Sequence, residues 1–141
     1  MPVRGRLSAL EGLGGSLILD DSYNASPNSF RAAIDVLASF PGQQILLTGD
    51  MKELGNDSRQ AHQSVGEIAK RAGVGSRWAV GEYASLVVET FGEGGVVFED
   101  QQSLIEYASR QLDADSVVLV KGSRGAKMDR VVNDLRRGEE A

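Results

Sequence analysis

The chain has 141 residues, enough for one domain with a sizeable core, and 41% hydrophobic with 25% charged residues is ordinary for a soluble globular protein. A formal net charge of −5 argues against nucleic acid as the main partner, because phosphate backbones recruit basic faces. The lack of cysteine excludes disulfides, thiolate chemistry and cysteine-based zinc sites, and a single histidine, His62, excludes multi-histidine metal centres.

Residues 1–16 (MPVRGRLSALEGLGGS) mix Pro, Gly and Arg, contain no apolar signal-peptide core, and are expected to form a lead-in segment rather than a core element. Leu17–Asp20 is a short apolar strand that ends in polar residues. Ser26-Pro27 is a good cap and first-turn pair for a helix in which Phe30, Ala33, Ile34, Leu37 and Ala38 recur at helical spacing, up to Phe40-Pro41-Gly42. Gln44–Thr48 is the next strand, and the loop Gly49–Asn56 leads to a helix over about 57–72 with Ala61, Val65, Ile68 and Ala72 on one face. Then follow a strand at Arg77–Val80, a helix at Tyr83–Phe91 and a strand at Val96–Phe98. Asp100 can cap a helix running to Leu112, Ser116–Val120 is the most strongly β-forming run, and a last helix spans roughly 126–136.

Five strands each followed by a helix, several with no polar face, predict a doubly wound α/β domain whose mostly parallel sheet is covered on both sides. No apolar run approaches the ~20 residues of a membrane span, so a cytoplasmic protein is expected. In such sheets ligands bind beyond the carboxyl ends of the strands. The residues there are polar in three places. Asp21, Ser22, Tyr23 and Asn24 follow the first strand, TGDMKELG with Asp50, Lys52 and Glu53 follows the second, and VKGSRGAK with Lys121, Ser123, Arg124 and Lys127 follows the last. The last loop enters a helix N-terminus, where free N–H groups favour anions. Together they suggest a rim for a ligand bearing phosphate or carboxylate. The plainer reading of Lys52, Glu53 or Lys127 taken singly is a solvated loop, and of Asp20-Asp21 a turn. His62 is expected on the ordinary surface and Trp78 in core or rim packing.

The chain has neither G-x-x-x-x-G-K-[ST] nor G-x-G-x-x-G, so it carries no triphosphate cradle of its own. An alternative is a stand-alone α/β ligand-binding or regulatory module of the phosphoacceptor-receiver kind, which also has acids after the first strand and a lysine after the last. Against a receiver, Asp50 follows the second strand rather than the third, and Lys121 is followed by Gly-Ser-Arg rather than Pro.

DDSYNASPNS, GDMKELG and KGSRGAKM, in that order and preceded by PVRGRL, resemble the C-terminal domain of the Mur ligases over about residues 2–136. The resemblance implies a Rossmann-like fold at 17–141, with 1–16 as the interdomain hinge. It also implies an ATP-dependent amide-bond-forming ligase of peptidoglycan synthesis. The DSYNA stretch and the GDMKELG loop point to the member that adds D-alanyl-D-alanine to UDP-N-acetylmuramoyl-tripeptide. In that family ATP and Mg are held mainly by a central domain, and the third domain closes over ATP and presents the amine. The partners implied are therefore the ligase's own N-terminal and central domains and its two substrates, with no nucleic acid and no membrane. Carried over by motif, Arg6 reaches the ATP phosphates on closure, Asp21 accepts from the ribose hydroxyls, and Tyr23 and Asn24 border the adenosine. Asp50 and Glu53, with Lys121, Ser123 and Arg124, frame the acceptor, and no residue of this chain is assigned to a metal.

Overall fold

The computed structural model describes residues 8–22, 27–51, 58–122 and 127–136. Strands and helices alternate along them: β1 (Ser8–Glu11), a 3-10 turn (Leu13–Gly15), β2 (Leu17–Asp21), α1 (Pro27–Ala38), β3 (Gln43–Thr48), α2 (Ser58–Ala72), β4 (Ser76–Val80), α3 (Ala84–Phe91), β5 (Gly95–Phe98), α4 (Gln101–Gln111), β6 (Ser116–Lys121) and α5 (Met128–Leu135). Local chemistry sets several of these bounds. Pro27, with no N–H to lose and a helical φ, is the first residue of α1. Asp100 caps α4 by accepting the Ser103 N–H at 2.8 Å, a bond that holds its carboxyl below the usual range.

One expectation fails. Residues 8–11 are not lead-in: Ser8–Glu11 pairs antiparallel with β2, Ser8 opposite Asp20 and Glu11 opposite Leu17. The four residues Ser-Ala-Leu-Glu have little strand propensity of their own, and the ladder to β2 holds them. A bridge between Gly12 and Arg136 ties the end of this hairpin to the residue following α5.

The sheet order is β1-β2-β6-β3-β4-β5, with β2 to β6 all parallel. The chain steps one way from β2 through β3 and β4 to β5, then returns to place β6 between β2 and β3. Crossovers between parallel strands are right-handed, so helices on the outward steps and on the return step must cover opposite faces. The core divides accordingly. Phe30, Ile34 and Leu37 of α1, Ala61, Val65 and Ala69 of α2, and Phe91 of α3 pack on Leu19, Leu46 and Leu119. Leu104 and Ala108 of α4 with Val131, Val132 and Leu135 of α5 pack on Ile18, Leu47, Val118 and Val120. Trp78 lies in this second core, edge-on to Tyr107 at 5.1 Å. The architecture is thus the doubly wound α/β domain expected. A last strand inserted between the first two parallel strands differs from the 2-1-3-4-5 order of receiver-type sheets, which sets the receiver alternative aside.

Close approach of α2 to α3 depends on Gly66, where a Cβ would lie 2.7 Å from the Val87 carbonyl oxygen, a backbone atom that cannot turn away. In an open helix Ala in place of Gly gains about 1 kcal/mol. Here overpacking reverses the sign, and Gly66→Ala is expected to lower the free energy of unfolding by about 1–2 kcal/mol in urea titrations. A raised midpoint would show that the two helices do not need this contact.

Candidate functional site

A doubly wound sheet opens a crevice where neighbouring strands send their following loops to opposite faces. That happens on both sides of β6, whose chain continues to α5 while β2 and β3 continue to α1 and α2. Register sets three polar residues abreast there: Asp21 opposite Lys121, and Lys121 opposite Thr48. Each lies two residues beyond a leucine of the α1–α2–α3 core (Leu19, Leu119, Leu46), so the period of two points all three to that face.

Lys121 Nζ sits 2.7 Å from Asp21 Oδ2 and 5.2 Å from the centroid of the Phe30 ring. The lysine side chain is 1% exposed and the aspartate 17%. Two residues expected at different ends of the site, the ribose and the acceptor, are therefore an ion pair 100 positions apart in the chain. An ammonium this deep needs the carboxylate, since a buried charge stripped of its partner costs several kcal/mol. Asp21 keeps its second oxygen, Oδ1, without a partner among the described residues.

One strand further along, Arg77 of β4 reaches the same level. Its Nε and one terminal nitrogen donate to the Thr48 hydroxyl at 3.0 and 2.7 Å, while the other terminal nitrogen, Nη1, has no hydrogen-bond partner among the described residues. Burial alone pulls the guanidinium down to about 9, which leaves it a cation at neutral pH. The sequence reading passed over Arg77 and Thr48. The available signal was a charged residue inside a strand that is otherwise apolar and covered on both faces.

The start of the second loop is held from two sides. Asp50 is buried, and its carboxylate accepts the N–H groups of Glu82 at 2.8 Å and Tyr83 at 3.0 Å, capping the turn that opens α3. Gly81, at φ 128°, allows this approach, because a Cβ there would lie 2.6 Å from Asp50 Oδ1. His62, expected on the surface, is instead 2% exposed: its Nε2 accepts the Met51 N–H at 2.9 Å and its ring stacks on Tyr83 with centroids 4.3 Å apart. The surface reading failed because His62 is covered by Met51 and Tyr83, which lie far from it in sequence. Asp20, on the opposite face from Asp21, accepts from the N–H and hydroxyl of Ser22 at 3.1 and 2.6 Å, which makes it a turn residue. Arg6, Tyr23, Asn24, Lys52, Glu53, Ser123 and Arg124 lie outside the described residues. Among those described, no three His, Cys, Asp or Glu side chains come together to hold a metal ion, and no helix is long and apolar enough to cross a membrane.

The family model of the Mur ligase, glutamate ligase domain, matches residues 5–124. The UDP-N-acetylmuramoyl-tripeptide–D-alanyl-D-alanine ligase of Escherichia coli (strain K12) is 42% identical over 136 residues, which is 95% of this chain and 30% of that protein. The crystal structure of MurF from Acinetobacter baumannii superposes with a TM-score of 0.84 at 31% identity, over 96% of this chain and 30% of that one. MurF ligase from Thermotoga maritima in complex with ADP superposes at 0.80 and 30% identity, over 94% of this chain and 30% of that one. The chain thus spans about a third of the length of the relatives it matches.

Thr48 is the one acceptor on the buried guanidinium among the described residues. Thr48→Val keeps the shape and deletes that acceptor, and it is expected to lower the free energy of unfolding by about 2–3 kcal/mol, the cost of a lost bond to a charged group. Chemical denaturation of the variant measures it, and an unchanged midpoint would mean that Arg77 does not depend on the hydroxyl.

Proposed function

This chain belongs to the Mur ligase family, and from that premise we propose that it is the C-terminal domain of a UDP-N-acetylmuramoyl-tripeptide–D-alanyl-D-alanine ligase. The observation that carries the reading is the likeness to the Escherichia coli ligase, which spans all three polar loops at the carboxyl edge of the sheet. In the reaction, ATP phosphorylates the terminal carboxylate of the tripeptide. The amine of D-alanyl-D-alanine attacks the acyl phosphate, a proton is lost, and inorganic phosphate leaves. Such chemistry asks a protein for positioning and charge neutralisation.

The residues of this chain divide that work. Asp21 offers Oδ1 to the ribose hydroxyls while Lys121 holds its other oxygen, so the acceptor atom is fixed before nucleotide arrives. Tyr23 and Asn24 border the adenosine. Ser123 and Arg124 supply the positive side of the crevice, suited to the dipeptide carboxylate, and Glu53 suits its ammonium group, whereas the buried Lys121 is used on Asp21 and acts through it. Asp50 contributes through the loop it anchors, since its carboxylate is used on the N–H groups of Glu82 and Tyr83. Arg6 clamps the ATP phosphates when the domain closes, as a guanidinium can do with two parallel bonds. The triphosphate cradle and the Mg ligands fall to the remainder of the ligase, because the motif G-x-x-x-x-G-K-[ST] does not occur in these 141 residues.

ADP release by the full-length enzyme tests the reading. It should require both UDP-N-acetylmuramoyl-tripeptide and D-alanyl-D-alanine, and turnover indifferent to the dipeptide would overturn it. In the same assay Arg6→Ala is expected to lower kcat by ~10²–10³, the scale of removing one preorganised charge-stabilising donor. Near-normal turnover of that variant would remove Arg6 from the mechanism.

A further inference from the structure

We infer that His62 is a positioning residue for the acceptor-facing loop that begins at Gly49, an inference that rests on the ligase reading above. The loop leaves the sheet under unusual control. Gly49 N–H donates to the Lys121 carbonyl at 3.0 Å, which registers its first residue against β6. Asp50 is fastened to the first turn of α3 through the N–H groups of Glu82 and Tyr83. Met51 sinks its side chain into the core beneath α1 and α2. Its N–H would be a buried donor there, and His62, reaching from α2, accepts it at 2.9 Å.

The ring that does this is itself located. Tyr83 stacks on it, with centroids 4.3 Å apart and planes 19° from parallel, and Asp50 Oδ1 lies 4.0 Å from Nε2. Accepting the Met51 N–H requires an unprotonated Nε2, so His62 serves as a neutral acceptor in this arrangement. One imidazole therefore joins the loop, α2 and the start of α3. That bond holds Met51, and Glu53, assigned to the dipeptide ammonium, is two residues further along the sequence. A loop that needed only a satisfied N–H could use water, whereas a ring nitrogen clamped by stacking fixes a direction.

Three variants of the full-length ligase separate positioning from mere packing. His62→Phe keeps a stacked ring and deletes the acceptor, His62→Asn is too short to reach the Met51 N–H, and His62→Gln can place Oε1 close to where Nε2 was. The expected result is a KM for D-alanyl-D-alanine raised by ~10–100-fold in the Phe and Asn variants, the scale of a small misplacement of a binding group, with the KM for ATP unchanged. The Gln variant should return close to wild type. If His62→Phe does not fold, the Asn and Gln pair carries the comparison. An unchanged dipeptide KM in a folded Phe or Asn variant, a parallel rise in the KM for ATP, or a Gln variant no better than Asn would overturn the inference. Amide exchange at Met51 in the 141-residue chain, followed by NMR, supplies an arm independent of catalysis. It should quicken in the Phe and Asn variants and not in the Gln variant, and an unaltered rate in Phe or Asn would overturn the clamp. A wild-type ligase without dipeptide-dependent turnover would overturn the ligase reading itself, and the exchange comparison would then decide the clamp alone.

Discussion

Right-handed crossover is the constraint from which the rest of this domain follows. Once β6 returns to the middle of a sheet whose other parallel strands were laid outward in sequence, its incoming helix α4 must cross on the face that α1–α3 leave bare. Helix α5, which follows β6, packs on that same face. The crevice on either side of β6 results from that order together with the apolar face of α5, whose Val131, Val132 and Leu135 hold it on the α4 side. What the sequence adds is chemistry at the right rung: Asp21, Lys121 and Thr48 end their strands side by side. A shift of one residue in any of these pairings would turn a polar end to the other face and break the row.

Two cations lie under α1–α3, and the fold treats them differently. Lys121 is matched by a carboxylate at 2.7 Å and covered by an aromatic ring. Arg77 has a hydroxyl and nothing ionised among the described residues, which is why burial shifts it so far. A well-packed apolar residue commonly serves stability as well as or better than a buried ion pair does, so neither cation is explained by stability alone. For Lys121 the crevice supplies a reason. For Arg77 the structure shows a guanidinium held at the level of the strand ends by the Thr48 hydroxyl.

Much of the fold was legible because its signals are local. The 3.6-residue recurrence of Phe30, Ala33, Ile34 and Leu37, the cap at Asp100 and the apolar run of β6 each announce an element within a dozen residues. That the site would gather at the strand ends was also readable, since an α/β alternation implies it. Partnerships were not readable. The neighbour of β2 is β6, a hundred residues away, and no local pattern states that order, so Asp21 and Lys121 were assigned to separate tasks. Likewise His62 sits beside the apolar stripe of its helix, and only the distant Met51 and Tyr83 turn it from a surface residue into a buried acceptor. β1 escaped because its four residues borrow their conformation from the strand they pair with.

The antiparallel hairpin of β1 and β2 also fixes where motion of this domain would be felt. A hinge preceding Ser8 would pull on the sheet at its outermost strand, one strand away from Asp21 and five away from β5 by way of β2, β6, β3 and β4. With strands about 4.8 Å apart, a turn of about 10° around that edge carries β2 about 0.8 Å and β5 about 4 Å. Asp21 therefore sits close to the pivot and Tyr83, on the loop after β4, well out on the arm. For a domain swinging from this edge, the strand ends beside β6 would shift less than the loop after β4.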